Sequence, residues 1–404
     1  MKNRLVVIGA NDFQNQLIVK AKEKGYETHV FAWKDGSIGE KTADFFYPIS
    51  IIEKEEILEK VREINPKGIV SIASDLATVT VNYVANELNL VGNSNVSTLV
   101  STNKYEMRKA FLKNHIPSPK FYVINKGFDI DTLLNINYNL EMDKLHKNPN
   151  VNVLPLSFPV IIKPTDRSGS RGINKVFNNE ELKEAVFKSI EVSFEKKAII
   201  EEFVEGNEYS AEFISYDGEH YFLAVTKKFT TGAPHFIETA HMEPVQLEKS
   251  EKENLINIIK DALDSLQVKN GASHSEFKID NHGNIKIIEI GARMGGDCIG
   301  SDLVKISTGY DFVDMVIDVA CGKAPSFIKV RDPKAAFIKF IFNEEDLKLV
   351  ENIKKNYPDK IYRISEIDKV GSREVVDSST RYGYIILACD SVKEGYDILK
   401  LKDL

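Results

Sequence analysis

The stretch from Ser273 to Asp297, SHSEFKIDNHGNIKIIEIGARMGGD, constrains the chain most, because it reads as a tight hairpin carrying two carboxylates face to face. SEFKI and KIIEI flank Asp280, Asn281, His282, Gly283 and Asn284, the turn-rich centre expected between paired strands. A turn symmetric about His282 and Gly283 sets Glu276 directly across from Glu289. Like charges facing each other weaken a ladder, so a plain surface hairpin avoids them or pairs each with a cation. A divalent metal between the two removes the objection. Magnesium is the natural candidate, since one or two carboxylates plus substrate phosphates are its usual setting. The competing reading is a solvated hairpin whose two glutamates never meet.

Gly291, Gly295 and Gly296 surround Arg293 just beyond the second strand. Their lack of side chains permits close approach of backbone to a ligand, and a guanidinium follows the carboxylate by about one turn. Carboxylate, metal and arginine together describe a polyphosphate site. Asp297 follows directly. It either reaches a substrate side-chain pocket, where it would disfavour acidic groups and favour polar or basic ones, or caps a helix beginning near Ser301 or pairs with a lysine at the rim.

At 404 residues the chain exceeds a single core, and two to four domains are expected. Its 43% apolar and 28% charged residues are those of a soluble globular protein. A net charge of −7 offers no electrostatic footprint for nucleic acid. The opening MKNRLVVIGAND has too short an apolar run for a signal peptide and gives no sign of a membrane segment. Three widely spaced cysteines, Cys298, Cys321 and Cys389, suggest neither a disulfide framework nor a zinc site, and a reducing cytoplasm is the expected setting.

RLVVIG reads as a strand, Asp12 to Lys24 as a helix closed by Gly25, and ETHVFAW as a second strand. A helix near Lys54 to Asn65, the strand GIVSIAS and a helix from Leu76 to Leu88 complete a βαβαβα pattern over residues 1–95, a doubly wound parallel sheet. Its first turn, GANDFQ, lacks the dinucleotide fingerprint. Asp75 ends the third strand, where open α/β sheets place ligands, but a helix N-cap is the favoured role. STNKYEMRKAFLKNHIPSP reads as one helix, and its Lys104, taken alone, is one more exposed lysine. Gly127 to Pro155 is irregular and reads as an insertion or mobile loop. FPVIIK then ends at Lys163 before a loop with Ser168, Gly169, Ser170, Arg171 and Gly172, whose N–H groups and hydroxyls can wrap phosphates although it is not a Walker motif. A helix (Asn179 to Phe194), the strand AIIEEFV and a turn, EGNEYSAEF, follow. Beyond the hairpin come a helix near Asp311 to Cys321 and, from about Ala324, a small α+β unit with the strands AFIKFIF and YGYIILACD.

Lys104, Lys163, SGSRG, EEFVEGNEYS, Glu276, Glu289 and Arg293 occur in the order and approximate spacing of the ATP-grasp superfamily, which the chain resembles over nearly its whole length. The resemblance implies an α/β and α+β multidomain chain: an N-terminal doubly wound parallel sheet followed by an ATP-grasp fold with a lid subdomain. The divisions expected are 1–95, a linker helix and lid over 96–205, a catalytic subdomain over 206–323, and a C-terminal segment over 324–404 packed on it. It further implies that Lys104 and Lys163 contact the phosphates of ATP and that the loop from Ser168 to Gly172 closes over them. Glu201, Glu202, Phe203 and Val204 would hold the adenine through their backbone, and Glu208 the ribose. Glu276 and Glu289 would ligate Mg²⁺, for which Mn²⁺ can substitute. Many members carry Asn where this chain has Gly291, which removes a third metal ligand that a water can replace.

HFIETAHMEP, SHSEF and GARMGG together resemble the L-amino acid ligases, bacterial ATP-grasp enzymes that join two amino acids. The resemblance implies that Glu238 meets the first amino acid's ammonium, that His241 lies beside its carboxylate, and that Arg293 bridges phosphate and substrate. His274 and Gly296 complete the candidate substrate residues, with Asp297; Arg293, Lys163 and Glu289 are the candidate catalytic ones. A histidine satisfied in a loop or core is the bland alternative for His241 and His274. The expected reaction is amide formation through an acyl phosphate with release of ADP and phosphate. The expected partners are small amino acids, neither nucleic acid nor membrane, with a homodimer as the candidate assembly. Competing readings are a purine-pathway ligase, a ligase acting on a carrier-bound amino acid, a nucleotide-binding regulatory protein without chemistry, and a biotin-dependent carboxylase component. No biotin-accepting segment is visible to support the last.

Overall fold

The computed structural model describes residues 3–127, 157–169, 171–233 and 236–401. The irregular stretch from Gly127 to Pro155, apart from Gly127 itself, and also Ser170 and His235 lie outside the described residues. The chain begins with four parallel strands, β1 (Arg4–Ile8), β2 (Glu27–Phe31), β3 (Phe45–Tyr47) and β4 (Gly68–Val70), in the order β3-β2-β1-β4. Between and after them run α1 (Asp12–Glu23), α2 (Ile38–Thr42), α3 (Lys54–Ile64) and α4 (Asp75–Leu88). Short polar caps start the helices. Asn11 accepts from Phe13 N and Gln14 N at α1, and Ser74 accepts from Ala77 N at α4. The cap of α4 is therefore Ser74, and Asp75, expected as the cap, is released for another role.

STNKYEMRKAF forms the end of α5 (Asn95–Thr102) and then α6 (Lys104–Lys113), not one helix. Asn103 sits extended between them and accepts from Tyr105 N and Glu106 N, so the break is a cap that fixes Lys104 in the first turn. A second sheet follows, with order β5-β8-β6-β7: β5 (Phe121–Asn125), β6 (Val160–Pro164), β7 (Asn174–Val176) and β8 (Lys197–Glu202), backed by α7 (Asn179–Val192).

The third sheet has eight strands: β9 (Asn207–Tyr216), β10 (Glu219–Thr230), β11 (Glu238–Glu243), β12 (Gly271–Ile279), β13 (Ile285–Gly291), β14 (Ala335–Phe340), β15 (Ile361–Ile364) and β16 (Tyr384–Cys389). Their order is β13-β12-β9-β10-β11-β14-β16-β15. NEYSAEF, expected as a turn, is most of the ten-residue β9, and the turn is confined to the residues before it. The strands from AFIKF and YIILAC do not stand apart either. β14 pairs with β11, so the C-terminal strands continue the same sheet. Helices α8 (Lys249–Ser265), α9 (Val304–Thr308), α10 (Phe312–Ala320), α11 (Glu344–Asn356) and α12 (Val392–Leu399) cover it. The apolar α10 shares one core with β1 and with the β9–β10 hairpin through Phe312, Val316, Leu5, Val7, Ile214 and Leu223, which fixes the N-terminal sheet against the large one. Among the described residues, no helix is long and apolar enough to cross a membrane.

Glu276 does face Glu289 across β12 and β13. The turn alone would not have arranged this. Ile279 pairs with Ile285, Lys278 with Lys286 and Phe277 with Ile287, and a bulge beside Phe277 shifts the register by one to bring the glutamates opposite. Bulges of this kind re-aim side chains beside functional sites.

Candidate active site

The second and third sheets face each other across a cleft of about 330 Å³. Lys104, Lys163, Ser168, Gly169, Arg171, Glu201, Glu202, Phe203, Val204, Glu208, Glu238, His241, His274, Glu276, Glu289, Arg293, Gly296 and Asp297 all line it. Residues placed there by β6, β8, β10, β12 and the 165–172 loop thus meet although they are scattered across the chain. Gly172 lies apart from this lining. Its φ is +73°, and a Cβ there would come 2.8 Å from Val192 Cγ2, so it seats the loop against α7.

Each facing glutamate has its own lysine. Lys104 Nζ donates to Glu289 Oε1 at 2.8 Å and to Arg167 O at 2.7 Å. Lys228 Nζ donates to Glu276 Oε1 at 2.7 Å and lies 3.5 Å from both Glu208 and Glu238. Burial opposes the charge on Lys228, but three carboxylates hold its pKa well above the usual value. Burial likewise works against ionised Glu276, yet Lys228 and His274 keep its carboxyl well below the usual range. His274 bonds Glu212 through Nδ1, and its pKa stands at about 9 because Glu212 and Glu276 outweigh desolvation. Gly295 makes room for this pair: a Cβ there would sit 2.7 Å from His274 Nδ1. Two facing carboxylates with no thiolate or thioether among the described residues of the cleft lining suit a hard cation that completes its shell with phosphate and water. Among the described residues, no group of three or more His, Cys, Asp and Glu is arranged to hold a metal alone.

Under the second sheet, Lys163 Nζ lies 2.8 Å from Glu201 Oε2, and Arg108 Nε lies 2.8 Å from Glu201 Oε1 in a contact too bent for a hydrogen bond. Burial lowers the Lys163 pKa, with Glu201 opposing. For Glu201, burial favours the neutral acid, but Arg108 and Lys163 hold it below the usual range. The Glu201 side chain is thus committed to cations, and that of Glu202 pairs with Lys286. Only their backbones remain for a nucleobase.

Asp75 and Arg293 meet in a two-point ion pair, with Nε to Oδ1 at 2.9 Å and Nη2 to Oδ2 at 3.1 Å. Desolvation opposes both charges, and each group outweighs it for the other, so Asp75 is lowered and Arg293 raised. A Cβ at residue 291 would stand 3.1 Å from the guanidinium and from Asp75 Oδ1. Gly291 therefore leaves this pair room, and the pair stands beside the place where an Asn would project. Asp297 neither caps a helix nor meets a lysine. Arg381 holds it with two hydrogen bonds, and His241 Nε2 lies 3.3 Å away. Burial would raise the Asp297 carboxyl, but Arg381 drives it far below the usual range. His241 is itself lowered by desolvation, with Asp297 opposing. Glu238 accepts from Ser378 Oγ at 2.8 Å.

Sequence reasoning missed Lys228, Glu212, Ser378 and Arg381. The first carried a faint signal: Thr226 and Lys228 alternate on the buried side of β10.

Residues 156–302 match the ATP-grasp domain family. Over 321 residues the chain is 27% identical to an alanine–anticapsin ligase of Bacillus subtilis (strain 168), an alignment that takes in 71% of the chain and 63% of that relative's length. Among solved structures, an L-amino acid ligase from Bacillus licheniformis superposes with a TM-score of 0.80 at 20% identity, covering 99% of this chain and 97% of that one. A phosphoribosylglycinamide synthetase from Anaerococcus prevotii gives 0.73 at 21% identity, covering 98% and 97%. The fold is that of ATP-grasp proteins.

Proposed function

We propose that this ATP-grasp protein is an ATP-dependent carboxylate–amine ligase that joins two L-amino acids. The reading rests above all on one observation: the Glu276–Glu289 pair with its lysines and the Glu238–His241 wall share one cleft. The first supplies what a triphosphate needs and the second what an amino acid needs. Likeness to an alanine–anticapsin ligase and an L-amino acid ligase supports the choice of substrates.

A carboxylate and an amine at neutral pH form a salt, so the acid must be activated. A carboxylate oxygen of the first amino acid attacks the γ-phosphorus, ADP leaves, and an acyl phosphate forms. The amine of the second then attacks the acyl carbon, loses a proton, and expels phosphate. Glu238 would take the first ammonium and hold its carboxylate toward the phosphates. Lys163 can turn from Glu201 to a phosphate because Arg108 remains to neutralise that carboxylate. Arg293, fixed by Asp75, presents its remaining edge where phosphoryl charge grows. Glu276 and Glu289 would hold Mg²⁺, which supplies further neutralisation of phosphate charge. Closure of the 165–172 loop would keep water from the acyl phosphate. Cys298, Cys321 and Cys389 are free, which supports a cytoplasmic setting.

The test is phosphate release from ATP with each of the twenty amino acids, singly and in pairs. Release that depends on amino acids, with dipeptide as product, is expected. Release indifferent to every amino acid would overturn the proposal.

A further inference from the structure

The short turn over Asp377–Arg381 reaches the cleft from the C-terminal part of the chain. Asp377 builds the turn by accepting from Ser379 N at 2.8 Å, and Arg381 Nε locks it by donating to Ser378 O at 2.8 Å. Arg373 braces it from outside by donating to Thr380 O and Arg381 O, both at 2.9 Å, and the side chains of Ser378 and Arg381 reach the substrate side. Ser378 Oγ donates to Glu238 Oε2 at 2.8 Å. Arg381 Nη1 donates to Asp297 Oδ2 at 3.0 Å and to Glu238 O at 3.3 Å, while Nη2 donates to Asp297 Oδ1. The guanidinium is 7% exposed and lies 3.6 Å above the Phe340 ring. This is a planar cation packed on both its edge and its face, a placement that arginine suits and lysine does not.

Asp297, partnered by His241 and Arg381, lines the cleft, and the same lining includes Gly296, Ala73, Ile299 and Phe13. All four are apolar or bare. A lone carboxylate among them would draw a cationic side chain; one cancelled by a fixed guanidinium leaves the wall without net charge. We propose that the Asp377–Arg381 turn is a specificity-determining element, in which Arg381 neutralises Asp297 so that the first amino acid accepted carries an uncharged side chain. The inference rests on the ligase reading above and names its substrate class.

The experiment compares kcat/KM for alanine, lysine and glutamate as first substrate, read as phosphate release with one fixed second substrate, in the parent and in two variants. Arg381→Gln exposes a lone carboxylate and raises the lysine-to-alanine ratio, on the order of 100-fold for an unpaired, partly buried charge. Asp297→Asn exposes a lone guanidinium and raises the glutamate-to-alanine ratio by a similar factor. The double variant, neutral on both sides, returns to the parent's preference. Should Arg381→Gln fail to fold, the near-isosteric Asp297→Asn decides alone. Ratios within threefold of the parent, or a shift of the wrong sign, overturn the inference. A parent that responds to no amino acid overturns the ligase reading first; a responding parent with unmoved ratios overturns this inference alone.

Discussion

The two ends of the cleft use different cations for different purposes. At the end proposed for the nucleotide, Glu289, Glu276 and Glu201 meet Lys104, Lys228 and Lys163, each a point charge on a flexible stem. Along the wall proposed to run from the phosphates to the first amino acid, Asp75 and Asp297 are gripped by Arg293 and Arg381 through two hydrogen bonds apiece. A lysine can swing from a glutamate to an arriving phosphate, whereas a two-point arginine pair keeps its geometry. On the function proposed, lysines stand where ligands would displace an ion pair, and arginines where the wall would stay. Glu201 meets one cation of each kind: Arg108, anchored by its own bond to Ile288 O, stays beside the carboxylate without hydrogen-bonding it, while Lys163 can turn away.

The largest expected effect breaks that mixed pair. Glu201→Gln leaves Arg108 and Lys163 buried against a neutral amide and should cost about 3–5 kcal/mol in urea unfolding. A loss under about 1 kcal/mol would mean the cations are solvated and the fixed-versus-exchangeable distinction fails there.

Next comes Glu289→Ala, which removes a charge the proposed reaction needs and leaves Lys104 with Arg167 O alone. Turnover should fall about 10²–10³-fold, as when one preorganised electrostatic contact is lost. Retention within about tenfold, read by phosphate release, would remove Glu289 from the chemistry.

A buried carboxylate with no cation tests the comparison from the opposite side. Among the described residues Glu243 accepts from Thr226 and Ser307 alone, both at 2.6 Å, and burial pushes its carboxyl up to about 8 against those two bonds. The folded state therefore keeps a proton that the unfolded chain releases near the usual 4.5. The group's contribution to stability is full below that value and is lost as pH rises toward 8. Glu243→Gln should flatten the decline between pH 5 and pH 8 by about 2–3 kcal/mol. Parallel parent and variant curves would show that Glu243 is ionised in the fold.

The smallest effect sharpens the claim of exchange. Lys228→Met takes away the cation that competes for Glu276, so Mn²⁺ binding without nucleotide, measured by calorimetry, should tighten about tenfold. Arg381→Gln should leave it unchanged. Equal affinities in parent and Lys228→Met would mean that metal and lysine never compete.

What could be seen beforehand was local. Three of the helices around β1 to β4, namely α1, α3 and α4, announced themselves through apolar periodicity, while the short α2 and β3 did not, and the Glu276–Glu289 facing came from counting across a turn, although a bulge at Phe277 was needed to achieve it. The ion pairs were hidden. Asp75 and Arg293 are 218 residues apart, and Asp297 and Arg381 are 84 apart. Only the packing of α10 between two sheets brings the first pair together, and only the continuation of one sheet through β14 and β16 delivers the second. NEYSAEF looked like a turn because it is rich in polar residues, of which Glu208 lines the cleft while Ser210 and Glu212 are buried, a placement that local pattern does not reveal.

The most direct measurement follows an oxygen atom. With the first amino acid labelled with ¹⁸O in its carboxylate, the acyl phosphate route carries one labelled oxygen from carbon to phosphorus for every amide formed. Mass spectrometry of the products should find ADP and singly labelled phosphate in equal amounts with dipeptide. Unlabelled phosphate, or AMP as the nucleotide product, would contradict the account.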